Sequence, residues 1–222
     1  MIVIRNRLIA LFARIAIFAV LLSALIWYWP LIGYEYTPIC LFEIQVGIAY
    51  LFLMFLIVVF NAIDLRHGIS GVAAGAYMPI ALAMTAYAVL GGTLGLSYML
   101  PVHGLSSAQA VLYNALLIAL PLLEWILFEQ KGTVKAYFGI TWMVYPFFYM
   151  VFTVFRAVIW RDNPLFADGS MYAYEFFDHH DPLFVLWVVL SLIVDYLFGL
   201  LLIFLNNVLG RKFKKQRGVL LD

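Results

Sequence analysis

A handful of side chains in this sequence could do chemistry inside an otherwise apolar chain. The clearest run is YPFFYMVFTVFR, residues 145–156, where Tyr145, Tyr149, Phe152 and Arg156 follow one another at spacings of 4, 3 and 4. On a helix those positions form one narrow stripe. A cation on such a stripe is costly unless it meets a partner or a water-filled cavity. Glu43, Asn114 and Asp195 raise the same question on other apolar stretches. An arginine fork suits a carboxylate or a phosphate, because its N–H groups match two oxygens at once. These residue types therefore point either to a ligand cavity or to structural pairs such as Glu43–Arg156 or Asp195–Arg156.

The elements that must position them are membrane helices. The chain has 222 residues, of which 66% are hydrophobic and only 11% charged. A soluble domain carries about a quarter charged residues. Six spans of roughly 20 residues fit the length and leave no room for a separate soluble domain. The fold expected is all-α, a single polytopic bundle over 1–222, with spans at about 8–29, 39–63, 71–90, 106–128, 136–160 and 182–209. The opening apolar run is too long for a signal peptide and is read as an uncleaved first span. Arg14, in its first turns, is expected to snorkel to the interface. Span 3 is rich in small residues (Ala73, Ala74, Gly75, Ala76), which allow close helix approach. Gly91–Leu105 reads as a loop, and Ser106 as the cap of span 4. One cysteine, Cys40, excludes an intrachain disulfide framework and a Cys-rich metal site.

Lys and Arg collect on one side: Arg5, Arg7, Arg66, Lys131, Lys135 and the cations of 211–217, against Arg161 alone on the other. The positive-inside rule then makes both termini cytoplasmic in a plasma (inner) membrane. At ~1.5 Å per residue, Thr37 lies at the outer surface, Glu43 ~6–8 Å below it, Arg156 ~6 Å deep, Asn114 ~12 Å and Asp195 ~20 Å. Polar groups from four helices thus share the outer half of the bilayer, and an outward-opening polar cavity is expected there. Ser191, Asp195 and Gly199 share a face of span 6, with Gly199 leaving space beside the carboxyl group.

Other signals are weaker. Asp178, His179, His180 and Asp181 carry donors that suit zinc, but adjacent loop side chains converge poorly on one ion, so the loop is read as solvated and no metal site is assigned. Its aromatics (Tyr172, Tyr174, Phe176, Phe177) would cover the cavity as a lid or lie on the headgroup layer. The basic tail would anchor topology and attract anionic lipid. No Walker loop, dinucleotide fingerprint, G-x-S-x-G or H-E-x-x-H occurs, so no cofactor is expected and nucleic acid is not a partner.

In order of features the chain resembles the androgen-induced-protein family of six-span membrane hydrolases and its prokaryotic six-span relatives. The residues that carry this are Tyr36-Thr37 opening span 2, Glu124-Trp125-Ile126-Leu127-Phe128 closing span 4, Tyr145-Pro146, Tyr149 and Arg156 on span 5, and the loop Asn163-Pro164-Leu165-Phe166-Ala167-Asp168. The resemblance covers about residues 34–205. It implies cleavage of fatty-acid esters of hydroxylated fatty acids, with a threonine nucleophile at Thr37 and a histidine partner on span 4. Asn114, or Tyr113 with a one-residue gap, stands where that histidine would be. A threonine hydroxyl needs an adjacent base, and asparagine cannot remove a proton. His103 folding back, or Glu43, could take that part. Asn114 would then be an oxyanion donor and Arg156 the group holding a carboxylate or phosphate.

Two functions follow. One is a lipid ester hydrolase or acyltransferase with Thr37, Asn114 and Glu43 at the chemistry, and Arg156, Tyr145, Tyr149 and Asp195 binding a lipid-like ligand. The other is a non-catalytic membrane subunit, either a ligand-binding subunit of a transporter or an accessory chain of a larger complex, with partner chains of its own.

Overall fold

The computed structural model describes residues 6–32, 37–69, 78–99, 107–129, 131–132 and 134–218. Arg5, Glu35, Tyr36, the Ala73–Ala76 run, His103 and the side chains of residues 212–217 lie outside that description.

Among the described residues the protein is all-helical, with six helices long and apolar enough to cross a membrane. They are α1 (Arg7–Tyr28), α3 (Phe42–Arg66), α4 (Met78–Leu94), α5 (Ala108–Phe128), α7 (Val144–Ile159) and α8 (Phe184–Gly218), with short helices α2 (Thr37–Cys40) and α6 (Phe138–Thr141) ahead of α3 and α7. Asn6 starts α1 by accepting from the Leu8 and Ile9 amides. Ser107, one position beyond the expected Ser106, caps α5 through the Ala110 amide. Apolar side chains face outward as well as inward: Phe52, Phe155 and Val185 are 65%, 65% and 70% exposed. That distribution suits a lipid solvent, not water.

α1, α3, α4 and α5 close into a ring in which each helix packs on two neighbours. α7 and α8 stand beside that ring. α8 packs on α4, α6 and α7, and a 3₁₀ turn at Glu175–Phe177 bridges α7 and α8. Opposite ends of the bundle are stitched separately. At the terminal end, Arg7 pairs with Asp64 and the backbone at Gly132 lies against Gly210. At the other end, the 160–183 loop folds back over the helices.

Span 3 differs most from expectation. The helix Met78–Leu94 continues into a π-helical turn, Gly95–Met99, where the sequence reads as a loop from Gly91. The glycines taken as loop markers are points of close helix contact. A Cβ on Gly95 would sit 2.0 Å from Asn114 Oδ1, one on Gly92 2.7 Å from the Asn114 carbonyl, and one on Gly91 3.1 Å from Glu43 Cα. The expected snorkelling of Arg14 is also overturned. Arg14 is fully buried, because its Nε donates to Glu124 Oε1 at 2.8 Å and its Nη2 to Glu129 Oε1 at 3.2 Å. Carboxylates within reach remove the reason to extend toward water.

Candidate ligand cavity

The site begins at a break in the second span. Pro38 follows Thr37 in α2, and Leu41 is extended (φ −86°, ψ 132°) before α3 begins. A break at this point frees backbone carbonyls, and at membrane depth each needs a donor. Tyr149 Oη donates to the Cys40 carbonyl at 2.9 Å and Gln45 Nε2 to the Ile39 carbonyl at 2.8 Å. Tyr145 Oη in turn donates to Gln45 Oε1 at 3.2 Å. The two tyrosines of the α7 stripe therefore hold the broken span in place.

The 160–183 loop forms the roof. Thr37, fully buried, donates through Oγ1 to the Leu165 carbonyl at 2.6 Å. Arg156, 3% exposed, donates to the Met171 carbonyl at 2.9 Å and to the Asn163 carbonyl. Tyr174 donates to Glu43 Oε2 at 2.5 Å. Burial, then the nearby Glu43, raises the Tyr174 hydroxyl well above its ordinary range, so it stays protonated and donates. Tyr98, carried upward by the π turn, accepts from the Glu175 amide at 2.9 Å. Its ring meets Tyr174 and Phe176 at 5.6 and 5.4 Å.

Between the four-helix ring and the α7–α8 pair, under this roof, lies a cavity of about 430 Å³. Phe42 of α3, Leu90 and Leu94 of α4, Pro146, Tyr149 and Met150 of α7, and Trp187, Leu190, Ser191, Val194 and Asp195 of α8 form its walls, with Tyr174, Phe176 and Phe177 above. Trp187, Leu190 and Val194 are 38%, 40% and 55% exposed. The cavity is therefore open along the lipid-facing flank of α8. It is mostly apolar, where a polar one was expected, since the polar atoms of the nearby side chains are consumed by the helix break and the roof.

Of the residues singled out in the sequence, Tyr149, Ser191 and Asp195 reach this wall together, with the loop aromatics Tyr174, Phe176 and Phe177 above them. Arg156 lines a separate hollow of about 360 Å³ with Ile39, Cys40, Phe152, Trp160 and Asn163. Asn114 turns away from both: its Nδ2 donates to the Ala110 carbonyl at 3.0 Å and its amide packs on Gly95. Glu43 is fully buried, with Oε1 lacking a hydrogen-bond partner among the described residues. Gly199 leaves no space beside Asp195, because the Trp142 ring fills it. In the loop, one donor atom each from Asp178, His179 and His180 lies within 4.8 Å of the others. His180 Nδ1 is 2.9 Å from Asp178 Oδ1. Tyr172 Oη pairs with His179 Nδ1, so the cluster satisfies itself internally. Burial works against the Asp178 carboxylate, but hydrogen bonds from the His180 amide and ring hold it below its usual range.

A second polar cluster escaped the sequence reading altogether. Arg14, Glu124, Glu129 and Lys131 are all at most 7% exposed. Lys131 donates to the Trp125 and Glu129 carbonyls and sits 4.5 Å over the Trp125 ring. Trp125 Nε1 donates to Asn206 Oδ1 at 3.3 Å, tying α5 to α8. Arg14 and Glu124 stand 110 positions apart, so local spacing carries no trace of the pair. Depth alone could have suggested it, since both lie near the terminal end of their spans.

No protein-family model, curated protein or solved structure matches the chain.

Proposed function

We propose that this multi-pass membrane protein binds a lipid-like molecule, its chain lying in the cavity between the four-helix ring and the α7–α8 pair. The observation that carries the reading is the cavity itself. Its volume of about 430 Å³ falls within the range of roughly 300–1,000 Å³ usual for small-molecule sites. Its walls are aromatic and aliphatic, and it opens where Trp187, Leu190 and Val194 meet lipid. In this reading the loop faces outward in a plasma membrane and the termini are cytoplasmic, as the Lys and Arg asymmetry favours.

The test is native mass spectrometry of the purified protein. A retained amphiphile should be lost when Leu94→Trp or Leu190→Trp fills the cavity, and kept in Phe52→Trp, whose side chain already faces lipid. Equal retention in all three would remove the reading.

Acyl-ester chemistry, implied by the resemblance to the androgen-induced-protein family, is a second reading. Its support is that Thr37 is buried at the helix break, on the same short helix as Cys40, whose carbonyl is bound by Tyr149 of the cavity wall. Catalysis would require the Thr37 hydroxyl to leave the Leu165 carbonyl and find a base. Lipid-ester turnover unchanged in Thr37→Ala would end this reading. Service as a subunit of a larger complex would instead show as stoichiometric partner chains on purification.

A further inference from the structure

Resting on the reading of the cavity as a lipid site, the polar groups of its wall identify the head group of the ligand. Ser191 and Asp195, one helical turn apart on α8, supply the aliphatic hydroxyl and the carboxyl group of the wall. Asp195 makes no hydrogen bond or ion pair with any described residue. The surrounding phenols cannot supply a donor, because each is committed. Tyr87 donates to the Trp142 carbonyl, Tyr145 to Gln45, Tyr149 to the Cys40 carbonyl and Tyr174 to Glu43. No lysine or arginine lines the cavity among the described residues. A carboxyl group left without a donor on an apolar intramembrane wall is costly, and a ligand bearing a donor removes that cost.

We propose that the cavity selects amphiphiles whose head donates hydrogen bonds, an ammonium above all and a hydroxyl second, and discriminates against carboxylates and phosphates. An ammonium gains most, because it meets both the Asp195 carboxyl group and aromatic faces such as those of Trp187 and Phe177. A carboxylate or phosphate head brings no donor for Asp195, and it sets like charge against the ionised carboxyl group in a poorly screened site.

Trp187, on the cavity wall, reports occupancy. The full chain in phosphatidylcholine nanodiscs at neutral pH is titrated with twelve-carbon chains brominated near the tail, bearing an amine, a hydroxyl or a carboxylate head. Probes are compared at equal mole fraction in the bilayer, and the Trp187 signal is taken as the difference from Trp187→Phe. The amine should quench at a concentration about tenfold or more below that of the carboxylate, as expected for one charge-assisted hydrogen bond, with the alcohol between them. Asp195→Asn should bring the three together. Equal or tighter quenching by the carboxylate, or an unchanged preference in Asp195→Asn, overturns the head-group assignment while leaving the cavity reading intact. Absence of quenching by all three overturns both.

Discussion

The two ends of the bundle solve the same problem by different chemistry. Each buries an arginine near the end of a membrane span. At the terminal end, Arg14 is met by two acidic side chains, Glu124 and Glu129, and Lys131 donates to the Trp125 and Glu129 carbonyls beside them. At the loop end, Arg156 is met by the Asn163 and Met171 carbonyls, and Tyr149 and Gln45, the latter held by Tyr145, satisfy the carbonyls opened at Leu41. The first arrangement closes a helix ring with paired charges. The second leaves a largely neutral scaffold around an open cavity, with the Asp195 carboxyl group lacking a donor among the described residues. Ionic pairing locks structure at one end, and neutral hydrogen bonding leaves room for a ligand at the other.

The contrast can be broken by mutation. The largest expected effect is at the terminal end. Arg14→Met strands the buried Glu124 carboxylate and removes the donor to Glu129, and should lower stability by ~3–5 kcal/mol, read as a loss of thermal midpoint in detergent. A loss under ~1 kcal/mol would mean that the network is dispensable.

The same network sets a pH dependence. Burial, reinforced by the charge of Glu124, pushes the Glu129 carboxyl up to about 8 from an ordinary 4.5. The folded state then holds a proton that the unfolded state releases between those values, so stability should fall as pH rises toward 8. Burial brings Lys131 down from 10.5 to about 8, against the pull of Glu129. Here the unfolded state holds the extra proton, and stability should recover above about pH 8. Thermal midpoints across this range should pass through a minimum near pH 8. Glu129→Gln should remove the acid-side slope.

At the loop end the expected losses are smaller. Tyr174→Phe leaves Glu43 Oε2 without its donor and should cost ~1–3 kcal/mol. It should also raise hydrogen exchange in the 160–183 loop, and an unchanged loop would separate the roof from Glu43. Thr37→Val removes one neutral bond to the Leu165 carbonyl and should cost ~1 kcal/mol. If Thr37→Val instead matched Arg14→Met in cost, the two ends would not differ as described.

The legible and illegible parts of this molecule divide along physical lines. Six spans follow from composition, because only long apolar helices satisfy their own backbone in lipid. Tyr145, Tyr149 and Arg156 share a stripe because they share a helix, and periodicity reports that directly. Partners across the bundle leave no such trace. Tyr174 meets Glu43 from 131 positions away and Thr37 meets Leu165 from 128, so depth identified Glu43 as buried without revealing its donor. The resemblance made Asn114 the partner of Thr37, but its amide donates to the Ala110 carbonyl and packs on Gly95 instead. Gly91, Gly92 and Gly95 misled in the other direction: in water such a run signals a turn, whereas between membrane helices it signals contact.

The measurement that tests the central claim most directly is photo-crosslinking by an alkyl chain carrying a diazirine, with the protein in nanodiscs and the adducts mapped by mass spectrometry. Adducts concentrated on Leu90, Leu94, Trp187, Leu190 and Val194, and lost in Leu94→Trp, are predicted. Labelling spread evenly over outward residues such as Phe52, Phe155 and Phe204, and indifferent to Leu94→Trp, would contradict a chain-binding cavity.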